Sequence, residues 1–142
     1  MSLLQAAALE GSAGTLFLLA RVVFGVVLAF MGLNHFMDVE GMAGYAGAKG
    51  VPAPEFGVVA SGVMLLLGGL GIAAGVYPVL AAGALATFFV VATPLMHDFW
   101  NAEDTQGEMT HFLKNAALLA GSLGFLALGG VDWPLALNLG LF

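Results

Sequence analysis

Between residues 15 and 36 the chain has no acidic residue and a single basic one, Arg21, and it closes on Asn34-His35-Phe36. Stretches 54–77, 79–97 and 109–129 repeat that apolar character with few charges. Each is long enough, at about 1.5 Å per residue, to cross a hydrocarbon layer about 30 Å thick. Inside lipid every backbone N–H and C=O must be bonded within its own segment, so these runs are expected to be helices and not strands. The expected fold is all-α: an integral membrane four-helix bundle, with helices over about 14–36, 54–77, 79–99 and 109–129. A short interfacial segment joins the first two, and a tail over 131–142, bearing Trp133 and Pro134, is expected to lie in the interface. With 61% hydrophobic and 8% charged residues in 142, against about a quarter charged in soluble domains, the chain reads as one multi-pass cell-membrane unit. No room is left for a soluble catalytic domain.

Nine acids against three lysines and arginines exclude nucleic acid and an anionic membrane surface as expected partners, leaving membrane lipid and other membrane subunits. Most of the acids, from Asp38 to Glu55 and from Asp98 to Glu108, fall between runs one and two or three and four. The absence of cysteine removes disulfides, thiolate metal sites and thiol redox chemistry from this chain. The first residues, MSLLQAAALEGSAG, lack a basic region, so no cleaved signal is expected.

Local signals refine the path. Residues 42–48, in a glycine-rich polar interval, are expected to form a short interfacial helix. Pro54 suits a first helical turn, where its missing N–H costs nothing. Tyr77-Pro78 marks a tight turn, and Pro94 is expected to kink the third run near its histidine end. Gly25 and Gly32 in the first run, Gly68, Gly69, Gly71 and Gly75 in the second, and Gly121, Ser122 and Gly124 in the fourth permit close helix approach. Arg21, Gly25, Leu28, Gly32 and His35 share one helical stripe.

If the runs alternate in direction, His35, His97 and His111 meet at one end of the bundle, each beside aromatic residues: His35-Phe36, His97-Asp98-Phe99-Trp100 and His111-Phe112. His111, Lys114 and Asn115, at i, i+3 and i+4, lie on one helix face; His97 and Asp98 point about 100° apart. These groups supply imidazoles that titrate near neutrality, neutral donors and acceptors, and a fixed cation. That set suits a quinone or a similar small aromatic, which needs polar contacts at its oxygens and apolar walls around its ring. We assign His97, His111 and Lys114 as candidate catalytic residues. Asn34, His35, Asp98, Phe99, Trp100, Phe112, Asn115 and Arg21 are candidate cofactor-binding residues. Imidazoles with Asp98 also match zinc, copper or iron in ligand type, and two of them could ligate haem. No pair has the i, i+4 spacing of a helical metal motif, so no metal ligand is assigned. Arg21 lies roughly 20 Å along its helix from His35 at 1.5 Å per residue, and needs a partner such as Glu10, Asp132, Tyr77 or a backbone carbonyl.

The segments LLARVVFGVVLAFMGLNHF, VPAP, LLLGGLGIAAGVYP, HDFW and HFLKNAALLAG together resemble the DoxX family of small membrane proteins, over residues 18–121. The pair HDFW and HFLKN carries most of the specificity. The resemblance implies a four-helix membrane protein with cytoplasmic termini, tied to quinone-linked oxidation as a subunit working with a partner oxidoreductase or as a homo-oligomer, and inactive alone. It equally implies an alternative role as a non-catalytic anchor or assembly partner. Arg21, His97, Asp98, Phe99, Trp100, His111, Lys114 and Asn115 match the family's motif positions. Where members often carry an acid in the second run, this chain has Met64, so Arg21 lacks that partner. The lysine count, with Lys49 and Lys114 on the histidine side, leans against the family-like orientation.

Overall fold

The computed structural model describes residues 9–139. Among these, the α-helices are α1 (Gly11–Met37), α2 (Val39–Ala48), α3 (Pro54–Ala74), α4 (Pro78–Met96) and α5 (Thr105–Ala127), with a 3₁₀ turn at Phe99–Asn101. The four long helices correspond to the four apolar runs, and α2 is the short segment expected between the first two. Three segments are both long and apolar enough to cross a membrane: Gly11–Met37, Pro54–Ala74 and Pro78–Asn101. The expected count of four spans is therefore met by length but not by apolarity, because α5 opens with Thr105, Gln106, Glu108, Thr110 and His111 before its apolar part begins.

Capping explains where the boundaries depart from the hydropathy pattern. Asp104 accepts from the Gly107 N–H at 3.0 Å, so α5 starts ahead of its apolar run, at an N-cap. Asp38 does the same for α2, accepting from Gly41 N–H at 3.1 Å. α3 stops at Ala74 because Gly75 takes a left-handed conformation (φ 69°) and its N–H returns to Gly71 O; glycine adopts that region without a Cβ penalty. Pro78 then opens α4. Pro94 sits inside α4, which ends soon after it, with His97 N–H on Thr93 O at 3.0 Å.

α1 and α3 pack antiparallel with their backbones in direct contact. A Cβ at Gly25 would collide with Gly69 O, and one at Gly69 with Gly25 O and, at 2.6 Å, Ala29 N. α3 meets α4 where Gly68 and Gly71 face Leu85 and Ala81, and Phe24 of α1 covers Gly121 of α5. The buried stripe on α1 is Arg21, Gly25, Leu28, Ala29 and Gly32, as the spacing predicts up to His35, which is half-buried. Leu28, Leu65, Ile72, Leu85, Phe89 and Phe125 fill the centre. The outer faces carry exposed Leu19, Val23, Phe30, Leu67, Leu80 and Val90, an apolar surface that suits lipid rather than water.

The tail turns back over the bundle end away from the histidines. Trp133, 1% exposed, is packed edge-on to Phe17 at 5.2 Å, and its indole N–H donates to Leu128 O at 2.8 Å. Asn138 brackets it, accepting from Trp133 N–H at 3.0 Å and donating to Trp133 O at 2.9 Å. Tyr77 N–H to Leu139 O at 2.7 Å and Leu137 N–H to Ala74 O at 2.9 Å stitch the tail to the α3–α4 turn. The tail expected to lie in the interface thus plugs a helix end through Trp133; its last residues, 140–142, lie outside the described residues. Arg21, 1% exposed, lies 5.9 Å from the Trp133 ring centroid and donates from Nη2 to Leu135 O. A backbone carbonyl is thus the partner among those expected. Nε and Nη1 of Arg21 have none among the described residues.

Candidate functional site

The up-and-down course of the long helices brings the three histidines to one end. His35 lies in the last turn of α1, His97 caps α4 and His111 lies in the second turn of α5. The His97 and His111 rings stack with centroids 5.1 Å apart and planes 22° apart. His97 Nδ1 contacts Glu108 Oε2 at 2.8 Å. The other carboxylate oxygen accepts from the Tyr45 hydroxyl at 2.9 Å, and that hydroxyl also lies 3.3 Å from Met96 O. Lys49, capping α2, donates to Asp98 Oδ1 at 2.6 Å. Helix α2 is thereby tied to the ends of α4 and α5 by two polar links.

The electrostatics follow from these contacts. The hydrogen bond from His97, and then that from Tyr45, hold the Glu108 carboxyl below the usual carboxylate range against the opposing effect of burial. Burial, then the adjacent Glu108 carboxylate, raises the Tyr45 phenol, and the hydrogen bond to Asp98 raises the Lys49 ammonium. His35 turns back on its own helix, with Nδ1 2.8 Å from Met31 O and its ring edge-on to Phe88 at 6.2 Å.

A cavity of about 620 Å³ opens beneath α2, within the range of sites that enclose a small molecule. Met31 and His35 of α1, Tyr45 of α2, Met64 of α3, Phe88 and His97 of α4, and Lys114 and Asn115 of α5 contribute to its wall. Asn115 is 6% exposed, and its Oδ1 is buried with no partner among the described residues. An unpaired buried amide oxygen costs roughly 1–3 kcal/mol, a cost that a ligand or ordered water can relieve.

The expected site residues therefore divide. His35, His97, Lys114 and Asn115 converge on the cavity, whereas His111 stacks behind His97 and is exposed. Asp98 turns to Lys49; because α4 ends at Met96, His97 and Asp98 are both non-helical, and the 100° offset expected of helical neighbours does not apply. Phe99, Trp100 and Phe112 form a separate edge-on cluster with centroids 5.2–6.0 Å apart, and they do not line the cavity. Asn34 is half-buried beside it, also outside the lining, and Arg21 belongs to the opposite end under Trp133. Among the described residues no three of His, Asp and Glu gather as a metal-sized cluster. Tyr45, Glu108 and Lys49 are the polar residues that sequence reasoning passed over. Glu108 lies three residues before His111, a spacing that places both on one helix face, but beginning α5 at Met109 hid the relation.

The sequence profile of the DoxX family matches residues 16–98. The chain belongs to the DoxX family. The DoxX match runs from residue 16, inside α1, to the Asp98 that pairs with Lys49, so α3, α4 and most of α1, with His35 and His97, lie within it. α5, with His111, Lys114 and Asn115, lies beyond it. Neither the comparison with curated proteins nor that with solved structures returns a match for this DoxX protein.

Proposed function

We propose that this chain is a cell-membrane subunit of a quinone-linked oxidoreductase system, crossing the bilayer four times and binding a quinone or similar small aromatic in the cavity beneath α2. The observation that carries the reading is an apolar cavity whose polar wall includes His97, Lys114 and Asn115, the last with a buried amide oxygen that has no partner among the described residues. The lining fits such a ligand: Met31, Met64 and Phe88 provide apolar and aromatic walls, and His97, Lys114 and Asn115 offer polar contacts for its oxygens. A bound quinone supplies two-electron, two-proton exchange. His97 is placed to hold or pass a proton, the Lys114 ammonium favours negative charge on an oxygen, and Asn115 orients the head group. α2 forms one wall of the site through Gly41, Met42, Tyr45 and Ala46. The chain has no cysteine and no nucleotide-binding loop, so electrons are taken to pass through a partner subunit, and the chain alone to be inactive.

The test is titration of purified protein in detergent with a short-chain quinone, comparing wild type with His97→Ala and Lys114→Ala. Saturable binding weakened about tenfold in each variant, equivalent to about 1.4 kcal/mol, supports the reading. Equal, negligible binding by all three well-folded proteins would leave the anchor or assembly role. One observation favours that second role: His97–Glu108 and Lys49–Asp98 tie helix ends together, which a purely structural bundle would also need.

A further inference from the structure

The contact between His97 and Glu108 fixes the chemistry of the ring as well as its place. A carboxylate oxygen can only accept, so at 2.8 Å from Glu108 Oε2 the proton of a neutral His97 belongs on Nδ1. Nε2 is then the lone-pair nitrogen, an acceptor. The carboxylate is itself held from the other side, because Tyr45 donates to its second oxygen at 2.9 Å. The remaining titratable and charged groups around the ring come from every packed element. His111 of α5 stacks on its face at 5.1 Å, Lys49 after α2 is taken up by Asp98 after α4 at 2.6 Å, and Lys114 of α5, His35 of α1 and Asp38 between α1 and α2 lie on the cavity wall. Among the described residues none of these makes a hydrogen bond to the His97 ring.

We propose that Glu108 is a positioning residue that holds His97 as the Nδ1–H tautomer, with Nε2 free to accept from a hydroxyl, so that the cavity prefers the hydroxyl-bearing, reduced form of a quinol-type ligand over its carbonyl-bearing oxidised form. The ligand class rests on the function proposed above; the tautomer does not. His97 Nε2 takes the hydroxyl proton as the O–H bond breaks. The ring becomes an imidazolium facing the Glu108 carboxylate, and the charge left on oxygen faces the wall that carries Lys114. No electron moves in this step, so it needs no oxidant. In arrangements of this kind a carboxylate fixes the tautomer and orientation of an imidazole.

Nitrogen-15 NMR of histidine-labelled protein in micelles, at a pH about two units above the usual histidine range, reads the tautomer without any ligand. His35→Gln and His111→Gln assign the three rings. His97 should carry its proton on Nδ1 in wild type and lose that preference in Glu108→Leu. Glu108→Gln, whose amide oxygen still accepts, should restore it. His35, whose Nδ1 donates to Met31 O, should stay unchanged throughout as an internal control. A wild-type His97 protonated on Nε2, or an Nδ1–H form that persists in Glu108→Leu, overturns the positioning role. Glu108→Ala replaces the leucine variant if that one does not fold. In parallel, wild type should bind a short-chain quinol about tenfold more tightly than its quinone, a difference typical of one good hydrogen bond to a charged or polarised group, and Glu108→Leu should abolish the difference. Equal affinity for both forms in wild type overturns the selectivity. Absence of binding of either form to folded wild type is a failure of the cavity reading, and the tautomer measurement still decides the role of Glu108.

Discussion

Replacing Trp133 by alanine should separate the end of the bundle that stabilises the fold from the end proposed to bind. Trp133 is 1% exposed, lies 5.2 Å from the Phe17 ring and 5.9 Å from Phe125, and donates its indole N–H to Leu128 O at 2.8 Å. Truncating a buried tryptophan costs about 3–5 kcal/mol in lost contacts and residual cavity. Loss of the cation–π contact at 5.9 Å from Arg21 adds about 1 kcal/mol more, because among the described residues that guanidinium has one hydrogen-bond partner, the Leu135 carbonyl. Trp133→Phe keeps the ring packing and removes the indole hydrogen bond, so it should cost about 1–2 kcal/mol. The assay is reversible SDS unfolding in mixed micelles followed by far-UV circular dichroism, with ligand affinity measured on the folded fraction. The cavity lies at the other end of α1, roughly 20 Å from Arg21 by helical rise, so affinity should change less than about twofold, the range expected of distant, independent sites. A cost below about 1 kcal/mol for Trp133→Ala would refute the tail as a packed plug. A tenfold loss of binding with intact fold would refute the separation of the two ends.

Gly69→Leu should disrupt the α1–α3 contact, since even a Cβ there would sit 2.6 Å from Ala29 N. Overpacking costs about 1–3 kcal/mol or more when backbone must move, and loss of thermal stability in detergent reads it; an unchanged melting temperature would refute the close approach. Because the Glu108 carboxyl is held below its usual range by His97 and Tyr45, its contribution to stability is complete above the unfolded-state pKa. It is lost as pH falls through the depressed folded value. Glu108→Gln should remove that acid limb from the pH dependence of unfolding, and an identical acid profile in both proteins would refute the coupling. Cysteines placed at Thr105 and Asp132 should label from opposite sides of the membrane if α5 crosses. Labelling from the same side would leave the three apolar segments as the crossings.

The helices were legible because apolarity and glycine spacing act locally. The Arg21–Gly25–Leu28–Gly32 stripe is one buried face, and Gly25 and Gly69 meet as small residues in adjoining helices must if they are to pack closely. Pro54 and Pro78 mark helix starts for the same local reason. The ends were less legible because hydropathy does not register a cap. Asp104 begins α5 by bonding Gly107, and Gly75 ends α3 by turning left-handed, both inside or beside stretches whose apolarity suggested other limits.

The site was half legible for a related reason. Convergence of His35 and His97 with Lys114 and Asn115 follows from helix direction and length, which the runs determine. What each ring does there depends on α2, a short glycine-rich helix with no strong signal, whose Tyr45 and following Lys49 reach Glu108 and Asp98. Those two links convert expected ligand-binding groups into fixed ones: Asp98 turns away from the cavity, and His97 is held by one nitrogen. A histidine free at both nitrogens could meet either a donor or an acceptor. One held through Nδ1 by a carboxylate offers a single acceptor while neutral. The polar links of α2 therefore close the bundle end and, under the proposed function, narrow what the cavity beneath it would recognise.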